Sequence, residues 1–222
     1  MSTPYLKAAA SLVLALGVLP GCAGGAASSS GTATTSVGEL SPEGDAVVLH
    51  PIHRETFVCS YHNEEAGDDL GNALGVDCWV QSLVTVPETG AVWSRPYRTD
   101  GQTNDDWFAW RREVLAPISG TVVTVTTNNT ENVPGLFKPS PGAEIVIRGD
   151  DGTNVLMVHV RETAVAEGDR VEAGQVVARV GNNGSSRAPH TPLGAWRDDE
   201  PLRIIFDPSV PRHSLLNGEP ME

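Results

Sequence analysis

Val114-Leu-Ala-Pro-Ile-Ser-Gly-Thr-Val-Val-Thr-Val-Thr126 decides the fold class. A short apolar run meets a Pro/Gly corner and then an alternating stretch rich in β-branched residues, which suits a half-buried strand. Ala143-Glu-Ile-Val-Ile-Arg148 alternates in the same way, Gly149-Asp-Asp-Gly152 reads as a hairpin turn, and Asn154-Val-Leu-Met-Val-His-Val160 is its partner strand. Val171 to Val180 and Leu202-Arg-Ile-Ile-Phe206 supply further strands, and no segment past Cys78 keeps a helical period. Short strands separated by Gly, Pro and Asp corners predict an all-β fold, an antiparallel sandwich or half-barrel. Thr127 to Pro141, with its Asn, Pro and Gly, is expected to form a long loop over one rim.

The 222 residues are enough for one domain with a real core once the amino-terminal signal and tether described below are set aside. The formal charge is −13, and the only lysines are Lys7 and Lys138. Nucleic acid and anionic lipid headgroups need clustered cations, so neither fits as a partner. The acidic residues gather in loops such as Glu64-Glu65 with Asp68-Asp69, Asp150-Asp151 and Asp198-Asp199-Glu200, without a calcium-loop pattern.

At the amino end, Lys7 precedes an apolar run from Ala8 to Leu19, then Leu19-Pro-Gly-Cys22. Such a segment is a secretory signal, too short to span a bilayer as a mature helix. Its cysteine resembles the lipidated first residue of a bacterial lipoprotein; the alternative is an ordinary signal cut after Ala27. From Ala23 to about Asp45 the chain is Gly, Ala, Ser and Thr and reads as a flexible tether. Export makes the remaining pair, Cys59 and Cys78, a disulfide; a Cys/His metal site using His62 lacks a second cysteine at ligand spacing.

Three stretches carry a more specific pattern. His159 lies in Leu156-Met-Val-His-Val160, and Glu167-Gly-Asp-Arg-Val-Glu-Ala-Gly-Gln-Val-Val-Ala-Arg-Val180 follows it. Gly181-Asn-Asn-Gly-Ser-Ser-Arg-Ala-Pro-His-Thr-Pro-Leu-Gly-Ala-Trp196 completes the set. Together they resemble the core of the lysostaphin-like (LytM-type) zinc endopeptidases that cut peptidoglycan cross-links. The resemblance implies a β-domain of the duplicated hybrid motif type. Ala116-Pro-Ile-Ser-Gly-Thr-Val and Gly168-Asp-Arg-Val-Glu-Ala-Gly-Gln also resemble the halves of biotinyl/lipoyl carriers. That reading fails because Lys138, in Phe137-Lys-Pro-Ser, is the only lysine between them and its setting is no carrier hairpin.

In the lysostaphin-like family, zinc is held by a His and an Asp four residues apart and by the second His of a later His-x-His. The first His of that pair and one on a neighbouring strand handle water and developing charge. Three protein ligands leave a fourth position where zinc acidifies water. Mapped here, the first segment falls on Gln102-Thr-Asn-Asp-Asp106, with Asp106 as the matching ligand (Asp105 if the register slips by one). His159 and His190 match the non-ligand histidines. Gln102 and Pro192 stand where the two ligand histidines are expected. An amide is a poor zinc ligand and proline offers no donor atom, so a normal catalytic zinc site is not expected, and no cofactor with it. Proline is also a poor resident of a paired strand, so altered geometry is expected there. The alternative is a shifted site built from Asp106, His159 and His190, or one recruiting His50, His53 or His62. His213 and His50 otherwise read as surface residues.

Trp107, Trp110 and Trp196 flank the expected cleft and read either as sugar- or peptide-facing platforms or as core. Arg111-Arg112 offer a peptide carboxylate contact or pair with Glu113. The expected organisation is a lipoprotein signal over 1–21, tether over 22–45, disulfide-containing extension over 46–100, the peptidase-family β-domain over 101–207 and a tail over 208–222. The functional expectation is a lipid-anchored cell-envelope protein, periplasm-facing or extracellular. It binds peptidoglycan or regulates a cell-wall hydrolase without cutting. An active zinc metalloendopeptidase and a structural lipoprotein with a vestigial cleft are the alternatives.

Overall fold

A computed structural model describes residues 45–62 and 70–211. In chain order the strands are β1 (Ala46–Leu49), β2 (Phe57–Tyr61), β3 (Val76–Val80), β4 (Ser82–Thr85), β5 (Val92–Arg95), β6 (Glu113–Leu115), β7 (Gly120–Thr126) and β8 (Glu144–Arg148). They continue as β9 (Asn154–Val158), β10 (Val160–Arg161), β11 (Arg170–Val171), β12 (Val176–Val180), β13 (Thr191–Arg197), β14 (Glu200–Pro201) and β15 (Arg203–Phe206). A single 3-10 turn, Asn104–Asp106, interrupts them among the described residues. The all-β architecture expected from the alternating runs is present.

The main sheet runs β11-β7-β8-β9-β13-β3-β2, with β14 pairing to β13, and all its pairs are antiparallel. A second sheet, β10-β12-β6, is also antiparallel. β4 and β5 form a separate hairpin, and β1 lies parallel to β15. One core joins the layers: Val122, Ile145, Ile147, Val155, Met157 and Leu193 of the main sheet meet Val114, Val160, Val177 and Val180 of the smaller one. Each of these side chains is at most 1% exposed, the inward half of its strand's alternation.

Three local features position the cavity described below. The strand expected over 154–160 breaks at His159, which takes a left-handed φ of 59°. There the chain steps from β9 in one sheet to β10 in the other, and Gly181 N–H caps the His159 carbonyl at 2.9 Å. The Asn pair of Gly181-Asn-Asn-Gly184 is buried and knits loops together. Asn183 accepts from Ala143 N–H at 2.7 Å and donates to Val160 O, while Asn182 donates to Asn104 Oδ1 at 2.8 Å.

Pro192 is the third feature, and here the structure corrects the expectation of a disrupted strand. It sits inside β13 opposite Asp77 of β3, yet pairing to β9 on the other side starts only at Leu193. With pairing on one side only at that residue, a missing N–H is tolerated.

Candidate functional site

His159 and His190 do come together. Their rings lie 5.1 Å apart and tilted by 54°, on a cavity of about 790 Å³ that Pro192, Asp77, His62, Glu144 and Gly142 also line. The His-x-His spacing places residues 190 and 192 on this one face, as alternation along a strand requires. The aspartate at its centre is Asp77. Gln102 and Asp106 are not among the residues lining it.

Asp77 belongs to β3, in Val76-Asp-Cys-Trp-Val80, whose other residues are apolar. Its neighbour Cys78 forms the expected disulfide with Cys59, its direct partner across the β2–β3 pair. That bond fixes the end of β2, where His62 follows Tyr61. His62 donates from Nε2 to Asp77 Oδ1 at 2.9 Å and from Nδ1 to Asn72 O at 3.1 Å. Both partners are acceptors, an arrangement that favours the doubly protonated ring. In keeping with this, the hydrogen bond to Asp77 raises the His62 pKa against the opposing effect of burial.

His190 anchors its Nδ1–H on Ala188 O at 2.7 Å and points Nε2 toward the same Asp77 oxygen, 3.5 Å away. Trp79 stacks on it with ring centroids 5.2 Å apart and planes 11° from parallel. Burial alone would push the Asp77 carboxyl up, but hydrogen bonds from His190 and His62 outweigh it and hold the group well below the usual carboxylate range. His159 behaves oppositely: burial, reinforced by the nearby His190 charge, lowers its pKa to about 3. Its Nδ1 is buried and finds no hydrogen-bond partner among the described residues.

Asp106 lies elsewhere. It ends the 3-10 turn and accepts from the backbone N–H groups of Thr99 and Gly101. Burial is the largest single influence and raises its pKa, but the hydrogen bonds from this loop together more than reverse it. The carboxylate organises its own loop and is not brought to His159 and His190. Gln102 is exposed, its backbone N–H on Asp100 Oδ1 at 3.1 Å, and Asp105 lines a different hollow.

That second hollow, about 470 Å³, is also lined by Trp107, Trp110, Arg111 and Arg112. Trp107 donates its indole N–H to Gly101 O at 2.8 Å, and the guanidinium of Arg161 stacks 4.7 Å over Trp110. Of the roles left open for Arg111-Arg112, Arg112 faces Glu55 at 3.7 Å, while Glu113 meets Arg54. Trp196 sits at the far end of β13 from His190, paired with Asn154 and Pro201.

Of the three histidines around the first half of the chain, only His62 enters the cavity. His53 is buried with its Nδ1–H on Glu113 O at 2.9 Å, and burial lowers its pKa. His50 donates to Pro51 O. Cys22 and His213 lie outside the described residues.

These donors do not fit zinc as they are arranged. Zinc needs deprotonated ligands converging on one point with a position left open. Pro192 brings no donor, and Asp77 Oδ1 already accepts a hydrogen bond from His62. Among the described residues no group of three or more His, Cys, Asp or Glu side chains is disposed to hold a metal ion.

Sequence reading missed Asp77 and Trp79, and named His62 only as one of three histidines that a shifted site would recruit. A signal was present: an acidic residue in the middle of an otherwise apolar strand is costly unless paired. The family's four-residue spacing, applied to Asp77, places Ala73 at the ligand-histidine position.

Comparison with known proteins supports the family. The model of Peptidase family M23 matches residues 106–204. The chain therefore carries a domain of peptidase family M23, the metallopeptidase family that includes the lysostaphin-like enzymes. Among solved structures, a Pseudomonas aeruginosa protein assigned to peptidase M23 is 20% identical over 41% of this chain and 36% of its own, with a TM-score of 0.34. The catalytic domain of lysostaphin from Staphylococcus simulans is 22% identical over 65% of this chain and 81% of its own, TM-score 0.39. Pseudoalterin, a deep-sea M23 metalloprotease, is 12% identical over 71% and 73%, TM-score 0.44. The chain thus spans about a third of the Pseudomonas protein's length. No curated protein matches it. Asp77 and His62 both precede the matched segment.

Proposed function

We propose that this is a lipid-anchored cell-envelope protein whose M23-type domain engages peptidoglycan, or a hydrolase acting on it, without cutting. One observation carries the reading: at the second position of the family's His-x-His stands Pro192, directly opposite Asp77, so the cavity lacks the ligand that would complete a zinc centre. The cavity itself remains open and polar, suited to a peptide or glycan stem. Export with lipid attachment at Cys22 would place it facing the wall, held there by the membrane and by no nucleic-acid or headgroup contact.

The test is co-sedimentation with purified peptidoglycan, paired with a dye-release assay for cleavage. The expected result is retention in the pellet without dye release, with or without added zinc. Zinc-dependent release that a chelator abolishes would establish a working endopeptidase and refute the reading. Failure to sediment, with no effect on any wall hydrolase, would favour a structural lipoprotein.

A further inference from the structure

We infer that His62 closes this site to metal: its Nε2–H occupies the Asp77 oxygen that a metal ion would need, so that the extension before the M23 segment supplies a built-in hydrogen-bonded plug. The inference rests on the non-cutting reading of the same cavity.

The geometry carries it in three steps. First, Asp77 and residue 192 are direct partners across β3 and β13, and both line the cavity with His190. A metal held by this face would have to reach Asp77. Second, a metal there competes with His62, whose Nε2 lies 2.9 Å from Asp77 Oδ1, the oxygen that His190 also faces. In this pose both His62 nitrogens are engaged by acceptors, Asp77 Oδ1 and Asn72 O, so the ring must leave one of them to bind a metal. Third, the plug is held rigidly. The His62 side chain is 12% exposed, its own N–H donates to Gly75 O at 2.9 Å, and the Cys59–Cys78 bond ties the strand before it to the strand bearing Asp77.

This assigns His62 a positioning role. It orients the carboxylate, and with it the Nε2 of His190 that faces the same oxygen. A charge-assisted hydrogen bond of this type is worth about 1.5–3 kcal/mol, so a metal displacing it should lose roughly ten- to hundred-fold in affinity.

The experiment measures zinc binding by calorimetry, with metal content after dialysis as a second readout, on the full chain at one pH. Pro192→His places an imidazole beside Asp77 and His190 and makes three donors available on the cavity. The expected result is weak zinc binding in Pro192→His and an increase of about ten- to hundred-fold when His62→Ala is added. Pro192→His with His62→Gln, which keeps an N–H donor near Asp77, should stay near the weaker value. Near-UV circular dichroism of the tryptophans reports whether each variant is folded.

Unchanged or weaker binding on removing His62 would overturn the plug, because His62 would then be inert or itself a ligand. So would a double variant that is folded and takes up no zinc. A wild-type chain that holds one zinc and loses it with His62→Ala would also overturn it. The non-cutting reading falls separately, to zinc-dependent cleavage of peptidoglycan.

Discussion

Acid should weaken this fold through His159 before it protonates any carboxylate. The ring is buried, with a pKa lowered from 6.5 to about 3 by burial first and the His190 charge second. A depressed pKa means that the unfolded chain takes up the proton more readily. The stability due to the neutral ring is therefore complete above pH 6.5 and is lost as pH falls toward 3. At about 1.4 kcal/mol per pH unit, a fall from pH 7 to pH 5 costs roughly 2 kcal/mol, as pH 5 lies about 1.5 units below the unfolded value. His53, also lowered by burial, adds to the loss over the same interval. The His62–Asp77 pair offsets part of this, equally in the wild type and in a His159 variant, so it cancels between them. The raised His62 pKa contributes fully below 6.5 and loses that contribution only as pH rises above it; the depressed Asp77 pKa matters only below the ordinary carboxylate range. The assay is urea unfolding at pH 7 and pH 5 of the wild type and His159→Asn. Asparagine tolerates the left-handed φ of 59° and does not titrate. The variant should lose about 2 kcal/mol less than the wild type across that interval. Equal losses in the two proteins would refute the argument.

Three further outcomes are expected. Reducing the Cys59–Cys78 bond, which closes a loop of sequence separation 19, should lower stability by about 3 kcal/mol on the chain-entropy account, read as an earlier urea midpoint. Gly194→Ala should destabilise by at least ~1–3 kcal/mol, because its Cβ would lie 1.8 Å from the Gly71 carbonyl oxygen where that segment crosses β13; unchanged thermal unfolding would show that the close approach is wrong. Gln102→His with Pro192→His, the repair that the His-x-x-x-Asp spacing around Asp106 suggests, should gain no more zinc affinity than Pro192→His alone. Position 102 does not line the cavity and the Asp106 carboxylate is occupied by backbone N–H groups, so a large gain in calorimetry would restore Asp106 as the ligand.

The β architecture was legible because alternation is a local signal. Glu144–Arg148 and Asn154–Val158 flank the Gly149–Gly152 turn as read, and the apolar half of each strand faces the shared core. The misreadings occur where a long-range requirement overrides the local pattern. Val160 continues the apolar alternation of β9, yet His159 must turn the chain toward a second sheet, and nothing in Leu156-Met-Val-His-Val160 marks a left-handed residue. Pro192 reads as a strand breaker, but whether a missing N–H matters depends on which neighbour pairs there, which only the sheet order decides.

The site shows the same division more sharply. His159 and His190 were legible because they lie inside contiguous motifs. The aspartate was not, because between Val80 and Glu113 the chain makes the β4–β5 hairpin and the Asp106 loop before it enters β6. Proximity to the Ala116-Pro corner therefore selects Asp106, whereas pairing to β13 selects Asp77. What distinguishes the two carboxylates is their partners. Asp106 satisfies itself with the backbone N–H groups of Thr99 and Gly101 in its own loop, as an ordinary loop acid does. Asp77 is half-buried in an apolar strand and depends on two imidazoles, His62 and His190, for its charge to be tolerated. A carboxylate at this place in an apolar strand, opposite a proline, is costly unless a donor or cation meets it. His62, held by Asn72 and by the disulfide-tied hairpin, meets that cost from one side of Asp77 as His190 does from another.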